Sequence, residues 1–157
     1  MKNIFTMLMS TVLLISLSYF KANAQSSTYS LDITSMTIDD KPALQDRIKK
    51  EKFAYWITSN KSGASMISFV GNEVIRKGTL TLVSKEEREK TPDSYGGYII
   101  KYIWYSTDDE VNYKSFAVKL RVITTDTTDY FVCDVGAAGE PISQYKGVIR
   151  DITENLK

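Results

Sequence analysis

The chain of 157 residues sets 20 lysines and arginines against 19 acids, a formal net charge of +1, and contains no histidine and one cysteine. A balance this close to neutral gives no long-range attraction for phosphate backbones, so nucleic acid is not an expected partner. Without imidazole there is no Ser-His-Asp or Cys-His catalysis, no histidine-ligated metal and no histidine switch near neutral pH, and a lone cysteine permits no intrachain disulfide.

Residues 1–24 read as an export signal. Lys2 supplies a positive start, residues 4–20 are mostly apolar around Val12-Leu13-Leu14-Ile15-Ser16-Leu17, and Ala22-Asn23-Ala24 offers the small-residue pattern for cleavage before Gln25. The apolar run is shorter than the roughly 20 residues a spanning helix needs. No cysteine follows the cut, so a lipid anchor is not expected. The expected product is a single domain over residues 25–157, periplasmic or extracellular, not inserted in a membrane and held together by packing.

Within that domain, residues 29–38 alternate weakly through Leu31, Ile33 and Ile38 and suit an edge strand. Asp39-Asp40-Lys41-Pro42 has the chemistry of a helix start, with an aspartate for the N-cap and a proline in the first turn. Leu44, Ile48 and Tyr55 then share one helical stripe among Arg47, Lys49, Lys50, Glu51 and Lys52. Phe53-Ala54-Tyr55-Trp56-Ile57-Thr58 fits both helix and strand, so the helix ends near residue 51 or near 59; the longer helix is preferred, with Asn60-Lys61-Ser62-Gly63 as the break.

Residues 65–70 and 74–83 read as a hairpin around Gly71-Asn72. The stretch 84–97, with its charged run Lys85-Glu86-Glu87-Arg88-Glu89-Lys90 and Pro92, reads as a mobile surface loop. Residues 98–105 make a strand with Tyr98, Ile100, Tyr102 and Trp104 on one face and Ile99, Ile103 and Tyr105 on the other, which suits a central position. Past Asp108-Asp109-Glu110, residues 113–124 alternate most clearly, with Phe116, Val118, Leu120 and Val122 inward and Lys119 and Arg121 outward. Residues 130–135 give another strand, in which Cys133 reads as a small buried hydrophobe. Ile142, Tyr145, Ile149, Ile152 and Leu156 recur at intervals of three and four and predict a closing helix, which Gly147 weakens by about 1 kcal/mol relative to alanine.

This order places Trp56 late in the first helix, opens a strand with Asn72-Glu73-Val74-Ile75-Arg76-Lys77-Gly78-Thr79, and ends on the hydrophobic-basic run Val118-Lys119-Leu120-Arg121-Val122. In these features, over about residues 31–135, the chain resembles a family of exported bacterial domains of unknown function with a TATA-box-binding-protein-like fold. The resemblance implies an α+β fold, a curved antiparallel sheet of about five to six strands with an N-terminal and a C-terminal helix packed on one face. It brings no catalytic residue and no implication of DNA binding. The alternative architecture is a small β-barrel or lipocalin-like cup.

The acids Asp39, Asp40, Glu86, Glu87, Asp93, Asp108, Asp109, Glu110, Asp126 and Asp129 fall at caps, turns and loops, where solvation and turn formation explain them. Glycosidase chemistry would need two of them facing each other across a cleft. Asp108-Asp109-Glu110 lacks the spaced ligands and glycine of a calcium loop, and no phosphate-binding glycine motif occurs. No catalytic residue, cofactor or metal is therefore expected. The aromatic group Tyr95, Tyr98, Tyr102, Trp104 and Tyr105 is the best candidate for a binding surface, although alternation must send one of its two sets into the core. The expectation is a non-enzymatic exported domain that binds a protein or envelope component through a sheet face or the 84–97 loop. The alternative is a carrier of a small apolar ligand, with Trp104 and Trp56 near the mouth of a cup; a carboxylate-dependent glycosidase is the weakest reading.

Overall fold

Period-two alternation, rather than helical spacing, organises almost the whole chain. A computed structural model describes residues 27–60, 63–91, 95–107 and 113–151. The expected export signal, Asp93, the Asp108-Asp109-Glu110 turn, Ile152 and Leu156 lie outside these residues. The elements run β1 (Ser27–Ile38), β2 (Lys41–Pro42), α1 (Gln45–Lys50), β3 (Phe53–Asn60), β4 (Gly63–Val70), β5 (Glu73–Arg88), β6 (Gly96–Thr107), β7 (Tyr113–Thr124), β8 (Asp129–Gly136) and β9 (Ser143–Asp151).

All pairings are antiparallel, in the order β2-β1-β3-β4-β5-β6-β7-β8-β9, and β1 also pairs with β9. That last pairing closes eight strands, β1 and β3 to β9, into an up-and-down barrel. Leu31 stands opposite Tyr55 on one side and Ile149 on the other, so one inward row crosses the seam without a break. The centre is packed with Leu31, Met66, Phe131 and Cys133, all essentially inaccessible, and Ile33, Ile57, Leu80, Val118 and Leu120 extend this core. Charged residues take the outward positions: Arg121 reaches Asp134 at 3.3 Å, Gln144 donates to Asp134 at 2.8 Å, and Arg150 pairs with Asp32 at 3.0 Å.

The α+β, TATA-box-binding-protein-like arrangement with two helices on one face of an open sheet is thus replaced by a closed all-β barrel, the architecture weighed as the alternative. Three local competitions explain the difference. The first is at Asp39-Asp40, where both residues take positive φ, 46° and 61°, between the paired Ile38 and Lys41. That is the two-residue turn of a tight hairpin, which aspartate tolerates, and not a helix cap. Leu44, at φ 52°, precedes the six-residue α1 and makes no side-chain cap; Gln45 ties the helix down by donating to the Met36 carbonyl at 2.7 Å. The helix ends at Lys50, and Phe53, Tyr55 and Ile57 then alternate into the barrel on β3, with Trp56 on the outer wall against Phe69.

The second competition is at the C-terminal side. Tyr145, Gly147 and Ile149 occupy one face of β9 at every second position, while Ile142 is exposed in the preceding loop. The glycine hides the alternation, because it contributes no apolar side chain to the row. The third concerns residues 84–88, expected in a loop: they continue β5 and pair with β6 from Ser84 opposite Lys101 to Arg88 opposite Gly97, past an irregularity at Val83. Beyond Leu80, β5 has no β4 partner among the described residues. The strand 29–38 is also not an edge, since it holds partners on both sides.

Gly147 tests the assignment directly. A methyl group there would overlap the Asp32 carbonyl across the seam and crowd the Phe131 ring inside the barrel. In a helix, Gly147→Ala would stabilise by about 1 kcal/mol. In this barrel it should destabilise by about 1–3 kcal/mol through overpacking, read as a lower urea midpoint with unchanged slope.

Candidate functional site

The inward rows of β3, β6, β7 and β9 carry large aromatic side chains toward the α1 end of the barrel, and Ser68 of β4 and Ser143 of β9 stand between them. Tyr55 faces Ser68 across the β3–β4 ladder, Trp104 faces Phe116 across β6–β7, and Tyr145 lies opposite Cys133 on β9. Where Ser68 and Ser143 replace the larger residues of the centre, a concavity of about 220 Å³ opens, lined by Tyr55, Ser68, Arg76, Trp104, Phe116 and Tyr145 and covered by Ala137, Glu140 and Pro141 of the β8–β9 loop.

The aromatic walls interlock edge to face. Tyr55 meets Trp104 at 6.2 Å and 86° and Tyr145 at 5.2 Å and 87°, while Trp104 lies 5.4 Å from Phe116. Such edge contacts match the positive ring edge to the negative face and hold the walls in place. Burial, reinforced by the neighbouring Tyr145 and its hydrogen bond, pushes the Tyr55 phenol well above its usual range, so it stays protonated.

Charge enters at the rim. Arg76 and Lys114 place their cationic groups 5.5 and 5.4 Å from the centroid of Phe116. Arg76 donates to the buried Ser106 hydroxyl at 3.4 Å, and Lys114 is ion-paired with Glu140 of the covering loop. Trp104 is 2% exposed, and its indole N–H has no acceptor among the described residues. An unpaired buried donor of this kind costs about 1–3 kcal/mol.

The residues singled out from the sequence do not form one surface. Tyr98, Tyr102 and Trp104 point into the barrel from β6, but only Trp104 lines the mouth. Tyr105 is 55% exposed on the outer wall, and Tyr95, 64% exposed, precedes β6. Tyr55, Arg76, Tyr145 and Glu140 line the mouth, and Lys114 adjoins it through Glu140 and Phe116, without having been expected there. Lys114 is two residues before Phe116, in the same inward row, and that spacing was a readable signal. Of the two tryptophans expected at a cup's mouth, Trp56 is on the outside.

Among the described residues three other depressions are larger and more open, the smallest of them, about 300 Å³, lying by Thr58, Asn60, Ala64 and Leu80. One, of about 840 Å³, runs along the outer wall by Val83, Ile103 and Ala117; another, of about 730 Å³, lies between the β7–β8 loop and the end of β9. The acids are dispersed: Asp126 pairs with Lys90 at 2.9 Å, Asp32 with Arg150, and Asp134 with Arg121. Among the described residues no cluster of three potential metal-ligating side chains occurs, and no helix is long and apolar enough to cross a membrane. Comparison of the chain with protein-family profiles, with curated proteins and with solved structures finds no match.

Cys133 lies deeper, beneath the mouth, fully buried. Burial pushes its thiol up to about 12 from 9.0. Between those two values the unfolded chain loses a proton that the folded chain keeps, so stability falls with rising pH, by up to about 1.4 kcal/mol per unit. The thiol should resist Ellman's reagent until the protein is unfolded. The urea midpoint should decline more steeply above about pH 9 than that of Cys133→Ala.

Proposed function

We propose that this protein is a small-molecule-binding barrel whose ligand occupies the aromatic mouth at the α1 end. The reading rests on one observation: Trp104, walled in by Tyr55, Phe116 and Tyr145, holds a buried N–H donor with no acceptor among the described residues, beside an open concavity. A ligand that supplies an acceptor and a flat or branched apolar body would satisfy that donor and cover the rings. The concavity has room for roughly seven waters at about 30 Å³ each, which suits a compact ligand and not a long acyl chain. Below it Met66 and Cys133 are packed and fully buried. The reading of residues 1–24 as an export signal supports binding outside the cytoplasm, by a carrier or sensor of small compounds.

Ligand-observed NMR with a library of small acceptor-bearing aromatic and branched fragments tests this. Binders should be found that lose at least about ten-fold in affinity in Trp104→Phe, which keeps a ring and removes the donor. Tyr105→Ala on the outer wall should leave them unchanged. Binding that survives the first substitution and disappears with the second would move the site to the outer wall and favour a macromolecular partner.

A further inference from the structure

The groove of about 840 Å³ on the outer wall crosses β6, β7 and β8, and its floor is made of small residues, Ser115, Ala117 and Gly136. Val83 of β5 and Ile142 of the β8–β9 loop flank that floor, and Ile103 continues its apolar surface. Lys101 and Lys119 also line the groove, directly opposite each other across the β6–β7 ladder. We infer that this groove binds a fatty-acid-type anion, its carboxylate between the two lysines and its alkyl chain running over Ala117 toward Ile142. The site opens on the outer wall and stands independently of the reading of the aromatic mouth.

Three observations carry it. Residues directly opposite in an antiparallel pair hold their side chains about 5 Å apart on one face, and like charges there repel. Neither lysine's ammonium group makes an ion pair or hydrogen bond among the described residues. The two acids lining the groove are engaged by other partners. Asp134, although opposite Lys119 across β7–β8, takes Arg121 at 3.3 Å and Gln144 at 2.8 Å, and Glu140 is paired with Lys114. A carboxylate between the lysines removes their repulsion and accepts a charge-assisted bond from each. Next, Val83 and Ile142 are 60% and 57% exposed, so the trough has large apolar side chains left to cover on both sides. Finally, the main chain of the floor is already paired, Ala117 with Ile103 on one side and Gly136 on the other. An extended peptide would find no ladder partner there and would bury its own amides against apolar side chains, whereas an alkyl chain carries no such groups. Between Lys119 and Ser115 the strand advances about 14 Å, the reach of a medium-length chain.

Titrating the purified protein with monomeric decanoate, octanoate and decanol tests the site. At low salt decanoate should bind roughly five-fold or more tightly than decanol, with the advantage shrinking as salt is raised. Octanoate should bind roughly four-fold more weakly than decanoate, since an open trough covers about half of each methylene. Lys101→Gln combined with Lys119→Gln should make acid and alcohol equal. Ala117→Leu, which fills the floor from an exposed position, should weaken both, and Trp104→Phe in the mouth should change neither. Without ligand, Lys119→Gln should raise the urea midpoint by relieving the repulsion; an unchanged midpoint would remove the basis for the head-group position. Equal binding of acid and alcohol, or no binding of decanoate, would overturn the inference and leave the mouth reading intact. Decanoate binding that survives Ala117→Leu but is lost in Trp104→Phe would also overturn it, by placing that ligand in the mouth.

Discussion

Everything in this fold depends on β1 pairing with β9. The seam runs from Tyr29 opposite Asp151 to Ile38 opposite Ser143, with one shift of register between Ile33 and Ser35. Without it, the meander β3 to β9 would be an open sheet with two long edges and half its apolar row facing water. With it, nearly every backbone donor and acceptor in the wall finds a partner, and the inward row becomes a continuous lining. A chain of this size with a single cysteine has no covalent staple to fall back on, so closure takes the role that cross-links serve in many small exported domains. The seam is fitted for close approach: Gly147 admits the Asp32 carbonyl, Thr34 donates to the Lys146 carbonyl at 3.2 Å, and Arg150 bridges back to Asp32.

Closure also determines where a site can be. A barrel of eight strands is just wide enough for side chains to meet across its axis, and here they do. Phe131, Leu31, Met66 and Cys133 fill the middle, so space survives only where the inward row runs out of large aliphatic residues. At the α1 end it changes to aromatics, serines and two cations, and the mouth results from that change of composition. The burial of Cys133 and the raised phenol of Tyr55 follow from the same packing: both lie against the dry centre and keep their protons.

Much of this was legible in the sequence, and the failures have physical causes. The strand 113–124 showed its inward row without ambiguity because both faces were sorted cleanly, Phe116 to Val122 against Lys119 and Arg121. The hairpin around Gly71-Asn72 was equally readable. Phe53 to Thr58 was ambiguous because Ala54 and Trp56 put apolar residues on the outer face as well. Helix-like spacing in Ile142, Tyr145 and Ile149 came from a strand whose middle inward residue is glycine, so the period of two lost its central marker. Tyr55 and Tyr145, assigned to two separate helices, meet in the mouth only because β3 and β9 both flank β1, and no local pattern encodes that juxtaposition. Trp104 was singled out among the aromatics, but the lysine and arginine that give its surroundings a charge could be placed only once the register was known.

The far end of β5 has a consequence of its own. After Leu80 the strand leaves β4 and continues to Arg88 with β6 as its single neighbour among the described residues, carrying exposed Leu82 and Val83. Such an overhang leaves main-chain groups facing outward as a template for a foreign strand. The residues that follow, Lys85-Glu86-Glu87-Arg88, act as gatekeepers: charged side chains of both signs must be desolvated before another chain can dock there, which guards a crowded compartment against runaway edge-to-edge assembly.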